Sequence, residues 1–115
     1  MSQEHLSSVA GGGYSHAEVF AALGDETRLF LVAKLCDGQS YSISRLTEDS
    51  KLTRQAITKH LRVLESVGIV HSVRKGRESL FKFNPQPVDQ VKEYLDLVSE
   101  QWDQALSRLK AFVEG

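Results

Sequence analysis

Hydrogen-bonding side chains recur at helical spacing in the middle of the chain. Gln55, Thr58, Lys59 and Arg62 follow one another at i, i+3, i+4 and i+7, so an α-helix would place all four on one face. Their amide, hydroxyl, ammonium and guanidinium groups can hydrogen-bond to base edges or to phosphates. The pattern therefore favours recognition of DNA over a catalytic role.

The opposite face of the same segment is apolar. Ile57, Leu61 and Leu64 repeat at i, i+4 and i+7, which predicts one buried stripe. Thr53 is a suitable N-cap, so a helix is predicted over residues 53–66. A helix start of this kind leaves backbone N–H groups and the positive end of the helix dipole facing a phosphate.

A basic β-hairpin is predicted directly after this helix, over residues 70–83. Lys75 and Gly76 supply a turn in which positive φ is tolerated, and Arg74 and Arg77 flank it. Basic residues at such a tip are expected to contact the minor groove or phosphates. The alternative is an exposed turn whose charge is incidental.

Different roles are expected along this surface. Gln55 and Thr58 lie where base edges are reached, since Gln can pair with adenine and Thr can touch a thymine methyl group. Arg54 and Arg62 are assigned to the DNA backbone, and Lys59 is left open between phosphate and guanine. The expected DNA contacts combine the helix with the hairpin tip: Thr53, Arg54, Gln55, Thr58, Lys59, Arg62, Arg74, Lys75 and Arg77.

The charge of the chain is unevenly distributed. The formal net charge is −1, yet residues 51–77 hold seven basic residues and one acid, a local balance of +6. A basic patch on an otherwise acidic body orients a protein on a polyanion. A solvated surface without such a role would scatter the two signs more evenly.

Length and composition place the chain among ordinary globular proteins. Its 115 residues, 41% hydrophobic and 25% charged, correspond to one domain. No apolar run approaches the roughly 18–20 residues that span a bilayer, and the first residues do not have the pattern of a signal peptide. The single cysteine, Cys36, is expected to be a small core residue, with a thiol switch as the alternative. A cytoplasmic protein without a membrane partner is expected.

The order of the predicted elements defines a mainly α-helical fold with a β-hairpin wing. A Ser/Gly-rich segment predicts a mobile tail over residues 1–14. One winged helix-turn-helix domain then spans residues 15–115, in the order of four helices, two strands and a last helix. The last helix is predicted over about residues 87–113, after Pro85 and Pro87.

Three shorter helices are predicted before the 53–66 helix. Gly24 stops the first, and Asp25 caps the second. Ser42 caps the third, which ends at Asp49. The second helix is expected to direct its apolar positions to the core: Leu29, Val32, Ala33 and Leu35.

The last helix carries more apolar surface than one domain needs. From Val88 its apolar residues alternate in steps of three and four, the heptad pattern of helices that pack side by side. A dimer would also supply two copies of the DNA-reading helix for a palindromic site. The alternative is an amphipathic helix folded on its own domain. The expected dimer contacts on this helix are Leu95, Val98, Trp102, Ala105, Leu109 and Phe112.

These features together resemble the ArsR-type (arsenic-repressor-like) winged-helix regulators. The resemblance is carried by FAALGDETRLFLVAKL (20–35), SISRLTEDSKLTRQAITKHLRVLESVGIV (42–70) and VRKGRESLFKFNP (73–85). It implies a homodimer formed by the first and last helices, with Val19 and Phe20 of the first helix at the interface. It also implies binding to an inverted-repeat operator on double-stranded DNA, and repression, often of the regulator's own operon. It implies no enzymatic activity.

The chain departs from the metal-sensing members of that family. The third helix has no cysteine, and the last helix has neither histidine nor cysteine. Its carboxylates alone would suit Ca²⁺ or Mg²⁺ rather than the metals those members sense. Trp102 followed by LSRLKAFVE (106–114) is similar to a metal-independent branch, so no metal site and no cofactor are expected.

Two other functions are compatible with part of the pattern. One is a regulator gated by an effector, either a small molecule bound beside Trp102 or oxidation of Cys36. The other is a winged helix used only as a protein-interaction module, which would not need the local charge of +6 over residues 51–77.

Overall fold

The computed structural model describes residues 14–115 and contains five helices and three strands over that range. The tail predicted for residues 1–14 lies, apart from Tyr14, outside the described residues. The mainly α-helical fold with a β-hairpin wing is confirmed. The elements follow in this order: α1 (His16–Leu23), α2 (Glu26–Leu35), β1 (Tyr41–Ser42), α3 (Ile43–Glu48), α4 (Arg54–Ser66), β2 (Val70–Lys75), β3 (Glu78–Phe83) and α5 (Gln86–Glu114).

Side chains cap the starts of the first four helices. The Ser15 hydroxyl accepts from the Glu18 N–H while the Glu18 carboxylate accepts from the Ser15 N–H, which closes a capping box at α1. The predicted caps of α2, α3 and α4 are confirmed at Asp25, Ser42 and Thr53. These caps fix where each helix begins, and hence which face each turns inward.

The sheet has one strand more than the sequence predicts. Its order is β1-β3-β2, with Tyr41 and Ser42 of β1 paired antiparallel to Phe81 and Leu80 of β3. A two-residue strand is too short to show the alternation by which strands are recognised. The hairpin itself is confirmed.

The hairpin turn lies one residue later than expected. Lys75 pairs with Glu78, so Gly76 and Arg77 form the two-residue loop. Gly76 takes a φ of 63°, a conformation that glycine adopts without steric cost. Lys75 therefore belongs to the strand, and Arg77 occupies the loop.

The apolar stripe of α4 lies at the centre of the core. Ile57, Leu61 and Leu64 are fully buried, as predicted, and Phe81 of β3 is buried with them. The other members of the core come from α1, α2, α3, the start of α5, strands β1 and β2, and the connection after α4: Val19, Ala22, Leu31, Leu35, Tyr41, Leu46, Val67, Ile69, Val70 and Val91.

Two predictions for α2 are wrong. Leu29 is 51% exposed and Ala33 is also exposed, because the helix buries Leu31 and Leu35, and a residue two positions from either of these points to the opposite side. Cys36 is exposed rather than in the core. It is the C-cap of α2, one position beyond the buried Leu35, where the chain leaves the helix.

The end of α4 is tied to both ends of the hairpin. Gly68, with a φ of 77°, turns the chain, and the Ile69 N–H donates to the Leu64 carbonyl at 3.0 Å. The Asn84 side-chain amide then donates to the Gly68 carbonyl at 3.0 Å, and the Asn84 N–H donates to the Ile69 carbonyl at 2.8 Å. The wing is thereby held in a fixed place next to α4.

Replacement of a stripe residue should destabilise the domain far more than replacement of a neighbouring polar one. Leu61→Ala removes a fully buried side chain and is expected to lower the free energy of unfolding by about 2–5 kcal/mol. Lys59→Ala, on the exposed face of the same helix, should change it by less than about 0.5 kcal/mol. Urea denaturation of both variants measures the difference, and equal effects would contradict the assignment of α4 faces.

Candidate nucleic-acid interface

The polar face of α4 is exposed on the side opposite the core. Arg54, Gln55, Thr58 and Lys59 line one shallow cleft on this face. Thr58 is half-buried and the other three side chains are exposed. Four of the residues predicted from the sequence are therefore brought together on one surface.

The start of α4 combines a satisfied cap with a fixed arginine. The Thr53 hydroxyl accepts from the Ala56 N–H at 3.1 Å, as expected for an N-cap. Arg54 donates from Nη1 to the Ser44 hydroxyl at 2.8 Å, which links α4 to α3. Ser44 was not predicted as part of this surface, because its partner Arg54 is ten positions away and on another helix.

A second cleft lies where α3, α4 and the wing meet. It brings Arg54 and Arg77 together, although they are 23 positions apart in the sequence. Hydroxyl groups and one carboxylate complete its lining, which consists of Ser42, Ile43, Ser44, Arg54, Arg77, Glu78 and Ser79. Two guanidinium groups and several hydroxyls are the donors that a phosphate group requires.

Two other residues predicted to contact DNA from the wing, Arg74 and Lys75, are exposed but line neither cleft. Arg74 donates from Nε to the Gly76 carbonyl at 3.3 Å, which directs its side chain along the loop. Lys75 lies opposite Glu78 in the hairpin. Both are free to approach a ligand that extends past the wing tip.

Glu65 is a functional candidate that the sequence reasoning missed. Its carboxylate lies 3.3 Å from Nη1 of Arg62 and accepts from the Ser72 hydroxyl at 2.8 Å. Arg62, predicted to contact phosphate, is thus paired within the protein. The available signal was that Glu65 is the one acid between residues 51 and 77, three positions after Arg62.

Most of the residues expected at the dimer interface are exposed. Phe20, Leu95, Trp102, Leu109 and Phe112 lie on the surface of α1 and α5, with Trp102 63% and Phe112 84% exposed. Val98 and Ala105 are half-buried. A further apolar set on α5 is also exposed: Tyr94, Leu97, Leu106 and Val113.

Val19 does not belong with that surface. It is 2% exposed and forms part of the core of the protomer, because α1 turns Val19 and Ala22 inward. On α5, Pro87 and Val91 are buried near the helix start, while the rest of the helix extends from the domain. The His16 and Tyr94 rings stack at 4.5 Å between centroids and join α1 to α5.

Within residues 14–115, no three His, Cys, Asp or Glu side chains are grouped closely enough to hold a metal ion. No described helix is long and apolar enough to cross a membrane.

Comparison with known proteins identifies a regulatory family. Residues 25–72 match the family described as bacterial regulatory protein, arsR family. The HTH-type transcriptional regulator YuzN of Bacillus subtilis is 41% identical over 76 residues, which cover 61% of this chain and 83% of that one. The arsenical resistance operon repressor of Bacillus subtilis is 27% identical over 74 residues, covering 64% of this chain and 70% of that one.

A solved structure extends the similarity to the whole fold. The ArsR-like transcriptional regulator from Rhodococcus sp. RHA1 superposes with a TM-score of 0.74 at 36% identity. The alignment covers 84% of this chain and 91% of that one. It therefore includes the greater part of both chains rather than the helix-turn-helix alone.

Removal of the Glu65 charge should strengthen binding to any DNA. Glu65→Gln frees Arg62 from its ion pair and keeps an oxygen that can accept from Ser72. Affinity is expected to rise by up to about fivefold, since an exposed charge interaction is worth at most ~1 kcal/mol. The dependence of log affinity on log salt should also steepen by about one unit. Fluorescence anisotropy over a salt series measures both.

The matched control for this prediction is Glu100→Gln, which removes the same charge from α5 and should change the slope little. An affinity unchanged in Glu65→Gln, or raised equally in the control, would show that the carboxylate does not compete with DNA for Arg62.

Proposed function

We propose that this chain, which belongs to the ArsR family of DNA-binding transcriptional regulators, is a homodimeric repressor that recognises an inverted-repeat operator without sensing a metal. The observation that carries this proposal is the exposed polar face of α4 above a fully buried apolar stripe. That arrangement presents hydrogen-bonding groups on a helix whose position is fixed by the core.

Base recognition is assigned to the middle of the exposed face. Gln55 and Thr58 lie within one turn of each other and line the same cleft as Lys59. A Gln side chain can bond bidentately to adenine, and a Thr methyl group can contact thymine. Lys59 is not assigned to either a phosphate or a guanine, because its flexible ammonium group can reach both.

Attachment to the DNA backbone is assigned to the residues around that face. Arg54 and Arg77 line the same cleft between α3, α4 and the wing, which supports their assignment to a shared phosphate. The free N–H groups after Thr53 can bind another phosphate. Arg62, Arg74 and Lys75 would add contacts along the same strand or in the minor groove.

A second copy of the chain is proposed to cover the apolar face of α5. Leu95, Trp102, Leu109 and Phe112 are exposed in the protomer and repeat at heptad spacing. Burial of large apolar side chains is the main favourable contribution to such a contact. Two-fold pairing would place two α4 helices on one face of DNA, which is what an inverted repeat requires.

Repression is proposed to be steric, with a bound dimer occluding a promoter. The resemblance to ArsR-type regulators points to the promoter of the chain's own operon as one target. The similarity to an arsenical resistance operon repressor supports a repressor over an activator. The name of that relative is not a reason to propose metal sensing for this chain, since α3 and α5 lack cysteine and histidine.

One observation favours an effector-gated version of the same function. Gln101, Trp102 and Ala105 line a small cleft on α5, within the face proposed for dimerisation. A small apolar molecule bound there would compete with the second copy and release DNA. Quenching of the single tryptophan by a candidate molecule, together with lowered DNA affinity, would support this version.

Base-reading and phosphate-binding residues should be separable by mutation. Gln55→Ala is expected to reduce the preference for operator over scrambled DNA by about 1–3 kcal/mol while leaving affinity for scrambled DNA nearly unchanged. Arg54→Ala should weaken both DNAs alike and lower the salt slope by about one unit. Anisotropy titrations of both duplexes distinguish the two patterns. The assignment fails if the two variants behave alike.

Disruption of the α5 face should separate the protomers without unfolding them. Leu109→Glu places a charge on a side chain that is exposed in the protomer, so the thermal transition of the monomer should persist. Because the change occurs twice in a symmetric interface and Leu burial is worth about 1.5–3 kcal/mol, dimer affinity should fall at least about 100-fold. Analytical ultracentrifugation measures this.

Lys110→Glu, a charge change on the adjacent position of the same helix, is the control for that experiment. Unfolding of Leu109→Glu without dissociation would instead indicate that α5 folds against its own domain.

A further inference from the structure

One arginine outside the proposed DNA surface joins three helices. Arg28 of α2 donates from Nε to the Ala22 carbonyl and from Nη2 to the Ala21 carbonyl, at the end of α1. Its third nitrogen, Nη1, lies 3.3 Å from Nδ1 of His60 on α4. A single guanidinium group therefore connects the end of α1 to the reading helix.

The contact with α1 satisfies carbonyl groups that the helix itself leaves without partners. The last carbonyls of any α-helix have no partner within the helix, and the last turn of α1 carries no basic residue of its own. The guanidinium group of Arg28 supplies a positive charge there and donates to the Ala22 carbonyl and to the Ala21 carbonyl, which also accepts from the Gly24 N–H at 3.2 Å. Arg28 is held in turn by its backbone N–H, which donates to the Asp25 carboxylate at 3.0 Å.

The contact with α4 depends on the protonation state of one side chain. The His60 side chain is 20% exposed and lies on α4 beside the buried Ile57 and Leu61. Arg28 has only donors, so Nδ1 of His60 can accept from it only while that nitrogen carries no proton. The bond therefore requires a neutral imidazole with its proton on Nε2.

A carboxylate offers His60 a competing partner. Asp25 Oδ2 lies 3.8 Å from Nδ1 of His60. The hydrogen bond from the Arg28 backbone N–H lowers the pKa of Asp25, so this group stays charged throughout the range in which histidine titrates. A protonated Nδ1 would repel Arg28 and turn towards Asp25.

Among the described residues, no other charged group forms a hydrogen bond or an ion pair with the His60 side chain. Of the elements that pack against α4, α2 presents Asp25 and Arg28 to it. Three charged side chains on or beside α1, α3 and the wing have other partners, namely Glu18 with Ser15, Asp49 with Lys34 and Arg45, and Arg74 with Gly76.

We propose that Arg28 is a positioning residue for DNA recognition, which acts through His60 to hold the reading helix at a fixed orientation to α1. This inference rests on the proposed function, in which α1 lies at the dimer interface and α4 reads bases. In each protomer, Arg28 then couples the position of α1 in the dimer to the orientation of the reading helix. Protonation of His60 breaks the connection and lowers selectivity for the operator.

Variants of His60 can separate the hydrogen bond from the titration. His60→Asn places an oxygen close to the position of Nδ1 and cannot be protonated, so it keeps an acceptor for Arg28 at every pH. His60→Gln places its oxygen nearer the position of Nε2 and loses that acceptor. Arg28→Lys keeps the charge but cannot reach three partners at once. His71→Asn, an exposed histidine of the wing, is the control.

The measured quantity is the ratio of affinities for two duplexes, one selected by the wild-type protein from random sequence and one scrambled. Anisotropy titrations at about pH 8 and pH 5.5 bracket the titration of histidine. The wild-type ratio should fall about two- to tenfold at the lower pH, the factor that corresponds to one hydrogen bond. His60→Asn should keep the high ratio at both pH values, while His60→Gln and Arg28→Lys should show the low ratio at both.

Two results would overturn the proposal. One is a pH dependence of His60→Asn equal to that of the wild type. The other is an affinity ratio for Arg28→Lys equal to that of the wild type at about pH 8, when both proteins are folded to the same extent. If a variant fails to fold, ¹⁵N NMR of the wild-type imidazole rings decides instead, since a neutral His60 with its proton on Nδ1 would exclude the bond. If the wild type selects no sequence at all, the proposed function is contradicted. If it selects a sequence but either of the two results above is found, only the inference about Arg28 and His60 fails.

Discussion

Burial of the α4 stripe is the constraint on which the rest of the molecule depends. Ile57, Leu61 and Leu64 are fully enclosed by core residues from the other helices and the sheet. Because a helix has one rotation that buries such a stripe, the orientation of its opposite face follows. The groups available to DNA are therefore fixed by apolar packing, and the loss of apolar contact would misdirect them even if every polar residue were retained.

The wing is coupled to that helix by polar contacts at both ends of the connection. Asn84 bonds to the Gly68 carbonyl where α4 ends, and Glu65 bonds to Ser72 on the first wing strand. A carboxylate in a basic surface opposes DNA binding, yet here it also orders the wing. We interpret Glu65 as a compromise in which some affinity is lost and a defined spacing between helix and wing is gained.

The sequence was most informative where one periodic pattern dominated. The α4 stripe, the Asp25, Ser42 and Thr53 caps and the hairpin all followed from local spacing. The predictions that are wrong have local causes too. The strand at Tyr41 and Ser42 is too short to show alternation, and Leu29 was assigned to the core although the helix buries Leu31 and Leu35. Contacts such as Arg54 with Ser44 and Arg28 with His60 depend on tertiary packing, which a single sequence does not reveal.

The central claim is sequence-selective DNA binding that needs no metal. Its most direct test is a fluorescence-anisotropy titration of the purified full chain onto the DNA upstream of its own gene, with scrambled DNA as control and EDTA present. The account predicts tight binding to the upstream DNA and much weaker binding to the scrambled duplex. Equal and weak binding to both, followed by failure to enrich any site from random sequence, would contradict it.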